Sequence, residues 1–260
     1  MGGGGVEGRW KMRIFYLAAL GALLLCVSFL SRGRVVAVAE RAASSVVLVW
    51  YQDDAGTASY GTAFAVDDKG HFLTCAHVVR GRQEVAIAFP TVEGEANVAA
   101  RVVASDERID AALLKADEKG LPAARFGSTK GLRVGEEVIF AGYPMGYTLN
   151  ADLEPSVGFG HVSALPKWRV SARAPRIPIV QIDASVALGH SGSPLFRTSS
   201  GKVIGMLKSH VGVPGLVKSN DEVLDFVESI PSELVGRAGI GIALPADSLR
   251  RFLERHGVKT

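Results

Sequence analysis

Cysteine is scarce: the 260 residues hold only Cys26 and Cys75. The first lies in an apolar N-terminal stretch and the second at the end of a predicted strand. A disulfide within one domain is therefore not expected, and cysteine usage leaves the compartment open. Two cysteines so far apart also give no zinc-site spacing. Runs of like charge are missing as well. The net charge is +3, and basic residues come in ones and twos, as at Arg32 and Arg34, Lys167 and Arg169, or Arg250 and Arg251. That argues against a nucleic-acid partner and for an ordinary solvated surface. No internal repeat or low-complexity tract interrupts the body. With 48% hydrophobic and 21% charged residues, the composition suits a packed globular protein and argues against disorder.

What is present begins with a long uncharged run. Residues 14–31 read IFYLAALGALLLCVSFLS, with Arg9, Lys11 and Arg13 before them and Arg32 and Arg34 after. As a helix this run rises about 27 Å, near the lower limit for crossing a bilayer. It offers no polar face, as a helix packed at a protein surface would. A transmembrane or signal-anchor helix is expected over 14–31, after a flexible basic N-terminus at 1–13 and before a linker at 32–42. Ala37-Val38-Ala39 resembles a signal-cleavage site, so release after cleavage is the alternative. The slightly more basic first flank places the body outside the cytoplasm. The expected location is a single-pass membrane protein with an extracytoplasmic body; a secreted, periplasmic or organellar destination is the alternative.

The rest of the chain reads as short strands. Apolar and β-branched runs fall at 46–51, 61–66, 71–74, 85–89, 97–104 and 111–115. A second set falls at 138–141, 158–162, 179–182, 194–196, 203–206 and 239–243. Gly, Pro and Asp punctuate them at intervals of about 8–12 residues, the pattern of a sandwich or barrel. Two helices are predicted. One opens at Ser219-Asn220-Asp221-Glu222, which has capping-box spacing. The other follows Pro245, with Leu249, Phe252 and Leu253 as its apolar stripe.

Three strings carry chemistry. Thr74-Cys75-Ala76-His77-Val78-Val79 ends a strand on a histidine. Asp110-Ala111-Ala112-Leu113 opens a strand with a carboxylate. Gly189-His190-Ser191-Gly192-Ser193-Pro194-Leu195 sets a serine in a tight, Gly-rich turn. A serine hydroxyl is a weak nucleophile and needs a base. Histidine serves as that base near neutral pH and can return the proton. A buried carboxylate fixes the imidazole tautomer and stabilises the imidazolium. Each residue alone is weak evidence. Their order is what counts: Asp110 follows His77 by 33 residues, and Ser191 follows Asp110 by 81. This order argues against an α/β-hydrolase, which runs Ser, acid, His.

These strings resemble those of the trypsin-like serine proteases, and within them the HtrA (Deg) group. HtrA-type enzymes read Thr-Asn-Ala-His-Val-Val, Asp-Ile-Ala-Leu and Gly-Asn-Ser-Gly-Gly-Pro-Leu at these places. Further matches are 157–165, 181–184, 203–206 and 239–245, so that the likeness covers roughly residues 43–257. The resemblance implies an all-β fold of two packed six-stranded antiparallel β-barrels within residues 43–260, the first over 43–130, the second with a C-terminal helix over 131–260. It implies a catalytic triad of His77, Asp110 and Ser191 and an oxyanion hole at the amides of Gly189 and Ser191. It implies a substrate pocket near Ser185, Val186, Leu188, Ile240 and Ile242, with a preference for a small or medium apolar P1 residue. The function implied is a serine endopeptidase working through an acyl-enzyme on unfolded or misfolded proteins. No metal or other cofactor is expected. The expected partners are protein or peptide substrates and the membrane, with a homo-oligomer left open.

The string departs from the family at His190, where Asn or Asp is usual, and at Ser193 and Cys75. His190 either alters the oxyanion hole or points away from substrate. The PDZ domain usual in this group does not appear in the sequence. These two features support the alternative reading, a catalytically inactive homologue serving as a membrane-tethered binding or scaffold module. Residues 209–238 are longer than the matching loop of the family. They are expected to form either a lid or docking surface, or a packed insertion.

Overall fold

The computed structural model describes residues 20, 32–53, 56–91, 94–118, 120–146, 152–169, 176–208 and 239–260. The expected span at 14–31, except for Leu20, and the insertion at 209–238 with its capped helix lie outside the described residues. Among the described residues no helix is long and apolar enough to cross a membrane. The chain divides into Met1–Ala37 and a compact unit, Val38–Thr260. Residues 32–37 of the first unit are helical, as are residues 38–44 of the second. The linker expected at 32–42 is thus helical along its length.

Two closed barrels make up most of the compact unit, as the resemblance implies; the strand spacing alone left a sandwich or a barrel open. The first contains β1 (Val46–Gln52), β2 (Ala58–Ala65), β3 (His71–Thr74), β4 (Glu84–Thr91), β5 (Gly94–Asp106) and β6 (Ala111–Ala116), in the order β1-β2-β3-β6-β5-β4. Every pairing is antiparallel, and β1 closes the barrel on β4. The second contains β7 (Glu137–Gly142), β8 (Ser156–Ala164), β11 (Val180–Ile182), β12 (Pro194–Arg197), β13 (Lys202–Lys208) and β14 (Gly241–Pro245), in the order β11-β14-β13-β12-β7-β8. A hairpin of β9 (Lys167–Arg169) and β10 (Arg176–Pro178) stands apart from both. Its short, charged strands carry no apolar alternation, and the sequence pattern did not predict it.

Apolar alternation explains which residues fill the barrels. β1 reads VVLVW, and its first four residues are buried. A strand that packs on both faces loses the polar-out half of the alternation. The interior of the second barrel joins Val138 and Phe140 of β7, Ile182 of β11, Leu195 of β12 and Leu207 of β13. β5 behaves differently. Its residues alternate between exposed and half-buried, and a bulge between Val102 and Ala104 leaves Val103 exposed.

The connector between β6 and β7 bonds to both barrels. The Ala124 amide donates to the Ala65 carbonyl, and Gly127 and Val203 exchange with Val203 and Arg125 carbonyls respectively. The C-terminal helix α3 (Ala246–Arg255) follows α1 (residues 38–44) and α2 (Ala76–Val79) in chain order. Its stripe of Leu249, Phe252 and Leu253 is fully buried, as predicted. Asp247 in its first turn accepts from the Thr129 amide at 2.8 Å and the Thr129 hydroxyl at 2.5 Å. A carboxylate at a helix N-terminus also complements the helix dipole. The helix thereby ties down the connector.

Candidate active site

His77, Asp110 and Ser191 come together at the meeting of the two barrels. His77 sits on α2, a single turn that starts at Cys75 and ends at Arg80 with φ +43°. This short helix was not predicted, because four residues are too few to show a helical period. Asp110 closes the turn before β6 with φ +50°. A non-glycine residue in the left-handed region costs roughly 1–2 kcal/mol, least for Asp and Asn. The turn accepts that cost and aims the carboxylate at α2. Asp110 Oδ1 accepts from the His77 amide at 3.0 Å, while Nδ1 of His77 lies 3.0 Å from Oδ1 and 2.9 Å from Oδ2. On the far side of the ring, Nε2 lies 2.8 Å from Ser191 Oγ. Nδ1 facing a carboxylate holds the proton there and leaves Nε2 to accept from the serine.

The serine turn is clamped from both barrels. Thr62 of β2 makes three bonds to it and its neighbour: its amide donates to the Ser191 carbonyl at 2.8 Å, its hydroxyl donates to the Gly189 carbonyl at 2.7 Å, and the Tyr143 amide donates to that hydroxyl at 3.0 Å. From the other side the Gly192 amide donates to the Leu207 carbonyl at 2.9 Å. Gly189 and Gly192 adopt φ +94° and +93°. A side chain at Gly189 would meet the Tyr143 carbonyl at 2.1 Å, and one at Gly192 the Thr62 carbonyl at 1.9 Å. Both positions therefore require glycine, through dihedral and space together. Thr62→Val removes the donor to Gly189 and the acceptor for Tyr143 while keeping the shape. A buried polar group left unpaired costs about 1–3 kcal/mol. The variant is expected to fold with a lower melting temperature and to lose roughly 10- to 100-fold in kcat, since misplacing the turn weakens every transition-state contact. Unchanged kcat with only a lower melting temperature would make Thr62 purely structural.

His190 turns away from the cleft. It is buried, its Nδ1 accepts from the Ala187 amide at 3.2 Å, and its ring meets Phe140 edge-on at 5.4 Å. The side chain thus belongs to the second barrel's interior, which favours the expectation that it points away from substrate. Burial pushes its pKa down from 6.5 to about 4, and the Ala187 contact only partly opposes this. The folded protein therefore binds fewer protons than the unfolded chain between those pH values. Stability is full above about pH 6.5 and falls as the pH drops toward 4, by about 3 kcal/mol in all. His190→Asn is expected to flatten this part of the stability curve. Urea melts at pH 4.5 and 7.5 check it; an equal acid loss in variant and parent would refute the assignment.

The residues assigned to the substrate pocket divide. Ser185, Leu188 and Ile240 are exposed, whereas Val186 and Ile242 are buried. Val186 is part of the barrel interior. Gly241, between Ile240 and Ile242, leaves room for Val186 and Ile182, whose side chains a Cβ there would overlap.

One residue beside His77, Asp110 and Ser191 is not singled out by the sequence. Lys208, the last residue of β13, places Nζ 2.8 Å from Asp110 Oδ2. Both side chains are largely enclosed, at 18% and 10% exposure. Burial by itself would raise the Asp110 pKa, but the His77 hydrogen bond and the charges of His77 and Lys208 hold it below the usual value. The only sequence signal was a lysine closing the apolar string Val203-Ile204-Gly205-Met206-Leu207. Cys75, His77 and Asp110 also bring a thiol, an imidazole and a carboxylate within 4.8 Å, a set that could hold a metal by distance. Its chemistry argues against one. Burial and the Asp110 charge push the Cys75 thiol well up, its proton bonds the Leu207 carbonyl, and the carboxylate already faces Lys208 and His77. Metal ligation needs the thiolate.

Known proteins are similar to this chain in sequence and in fold. A probable periplasmic serine endoprotease DegP-like of Pseudomonas savastanoi pv. phaseolicola is 35% identical over 150 residues, which is 58% of this chain and 29% of the relative. The chain thus spans under a third of that relative's length. Among solved structures, the HtrA-type protease AlgW with tripeptide superposes with a TM-score of 0.62 at 24% identity, covering 86% of this chain and 64% of the other. Deg5 does so with a TM-score of 0.60 at 22% identity, covering 85% and 92%. At such identities these two establish the likeness of fold. Residues 61–206, more than half of the chain, match the trypsin-like peptidase domain, and the protein belongs to that family.

Proposed function

We propose that the protein is a serine endopeptidase of the HtrA type, hydrolysing peptide bonds through an acyl-enzyme. The observation that carries this reading is the line from Asp110 through His77 to Ser191 Oγ, with contacts of 2.9 and 2.8 Å. Ser191 Oγ attacks the scissile carbonyl carbon while its proton passes to His77 Nε2. The resulting oxyanion is held by the amides of Gly189 and Ser191, each donor contributing about 3 kcal/mol. His77 then gives its proton to the leaving amine, and the acyl-enzyme forms. Water, deprotonated by the same nitrogen, attacks the ester; the tetrahedral adduct collapses and returns the proton to Ser191. Asp110 stays ionised throughout and stabilises the imidazolium.

A small or medium apolar P1 side chain is the proposed preference, with Ser185, Val186, Leu188, Ile240 and Ile242 as the proposed pocket; the exposed apolar side chains of Leu188 and Ile240 support it. Unfolded or misfolded proteins, which expose such residues, are the proposed substrates. The site is placed outside the cytoplasm and tethered by residues 14–31, a reading supported by their uncharged run and by the periplasmic designation of the DegP-like relative. Recovery of the protein in a carbonate-soluble fraction would remove the tether. For the activity, a fluorophosphonate probe is expected to label the protein and to leave Ser191→Ala unlabelled. Failure of the folded protein to label would overturn the enzyme reading.

A further inference from the structure

Lys208 comes from the second barrel and reaches the carboxylate of the first. Asp110 Oδ2 receives Nζ of Lys208 at 2.8 Å and faces His77 Nδ1 at 2.9 Å, so one oxygen serves both cations when His77 is protonated. The strand end that carries Lys208 is pinned. Leu207 donates its amide to the Ser193 carbonyl and accepts from the Gly192 amide, so β13 and the serine turn hold each other in register. A long side chain on a fixed strand end, mostly enclosed, keeps its charge at the carboxylate rather than in water.

We propose that Lys208 is a positioning residue that offsets the charge of Asp110 and thereby sets the pH range in which His77 acts as a base. The inference rests on the endopeptidase reading. Among the described residues, the charged and titratable groups placed at His77 include Asp110 from the turn before β6, Lys208 acting across that carboxylate from β13, and the Cys75 thiol just before α2. Ser191 meets the other ring nitrogen. The buried thiol is held uncharged, so among these groups the Asp110 carboxylate and the Lys208 ammonium carry the charge. With Lys208 present, part of the attraction between Asp110 and the imidazolium is cancelled. Removing the cation restores the full attraction and favours the imidazolium.

The test uses the full chain and three variants. Lys208→Met removes charge and donor; Lys208→Gln removes charge and keeps an N–H for Asp110; Lys208→Arg keeps both. The acid limb of the kcat/KM profile on an unfolded protein substrate is expected to move up by about one pH unit in Met and Gln, which lowers the rate about tenfold below the limb. The plateau above the limb changes far less, and Lys208→Arg returns the limb to its original position. Superimposed limbs would overturn the proposal. So would a uniform loss at every pH that arginine does not rescue, since that is the mark of a structural role. An NMR titration of the His77 C2 proton separates this inference from the one beneath it. If the protein does not label with fluorophosphonate, the endopeptidase reading fails. The His77 curve still moves to higher pH in Lys208→Gln if Lys208 offsets Asp110, and does not move if it does not.

Discussion

Ser191→Ala is expected to lower kcat about a million-fold while leaving the fold and substrate affinity in place. The reason lies in how the turn is held. Ser191 contributes its side chain to the His77 contact, but the turn is fixed by backbone bonds: Thr62 to the Ser191 carbonyl and Gly192 to the Leu207 carbonyl. Losing Oγ removes the proposed nucleophile without loosening the turn that carries the Gly189 and Ser191 amides. A residual rate above the uncatalysed reaction is therefore expected. His77→Ala should cost nearly as much, and the double variant little more, because the two act as one unit. Single-turnover kinetics with a chromogenic peptide check this. A fall of less than a hundredfold in Ser191→Ala, with the melting temperature unchanged, would mean that another residue carries the chemistry.

Asp110→Asn is the second large effect, and it acts on rate and stability together. The amide can present its oxygen or its nitrogen to His77 Nδ1, but it carries no charge to stabilise the imidazolium. A drop of about 10⁴-fold in kcat is expected from that alone. Unlike a triad acid that faces only its histidine, Asp110 also balances Lys208. The neutral amide leaves Lys208 in a largely enclosed setting without its counter-ion. Breaking a buried pair costs about 3–5 kcal/mol, and the partial exposure of Lys208 points to the lower end. The double variant Asp110→Asn with Lys208→Met should recover much of the stability and none of the rate. Thermal melts and kcat on the same preparations read both. Asp110 and His190 also act in different acid windows. The lowered Asp110 pKa contributes stability that is fully present above the ordinary carboxylate value of about 4 and is lost as the pH falls from there through the folded-state value. The penalty from His190 begins higher, below about pH 6.5, and is complete near 4.

The sequence made most of this fold legible because apolar runs and turn residues are local signals. All twelve barrel strands were located, with ends that differ by a few residues. The largest difference is β5, whose outer half alternates too weakly to show where it begins. The His77, Asp110 and Ser191 positions stood out because each lies in a string whose neighbours serve the same turn. Gly189 and Gly192 needed no structure to be singled out, though only the structure shows what their missing side chains avoid. For His190 the sequence leaves two readings, a side chain that alters the oxyanion hole or one that points away from substrate. Its direction depends on the second barrel's interior, where Phe140 and the Ala187 amide receive it.

Residue types and their order along the chain pointed to an all-β sandwich or barrel, and the family resemblance of three strings pointed to two barrels and to His77, Asp110 and Ser191. Periodicity and turn chemistry are written in neighbouring residues. Tertiary structure alone decided what surrounds those groups. Thr62 lies 127 residues from the Gly189 carbonyl it holds, and Lys208 reaches Asp110 from the other barrel. Contacts between distant segments depend on strand register and barrel closure, which no local pattern records. The charge on Asp110 and the placement of the serine turn therefore belong to the packing of the two barrels against each other.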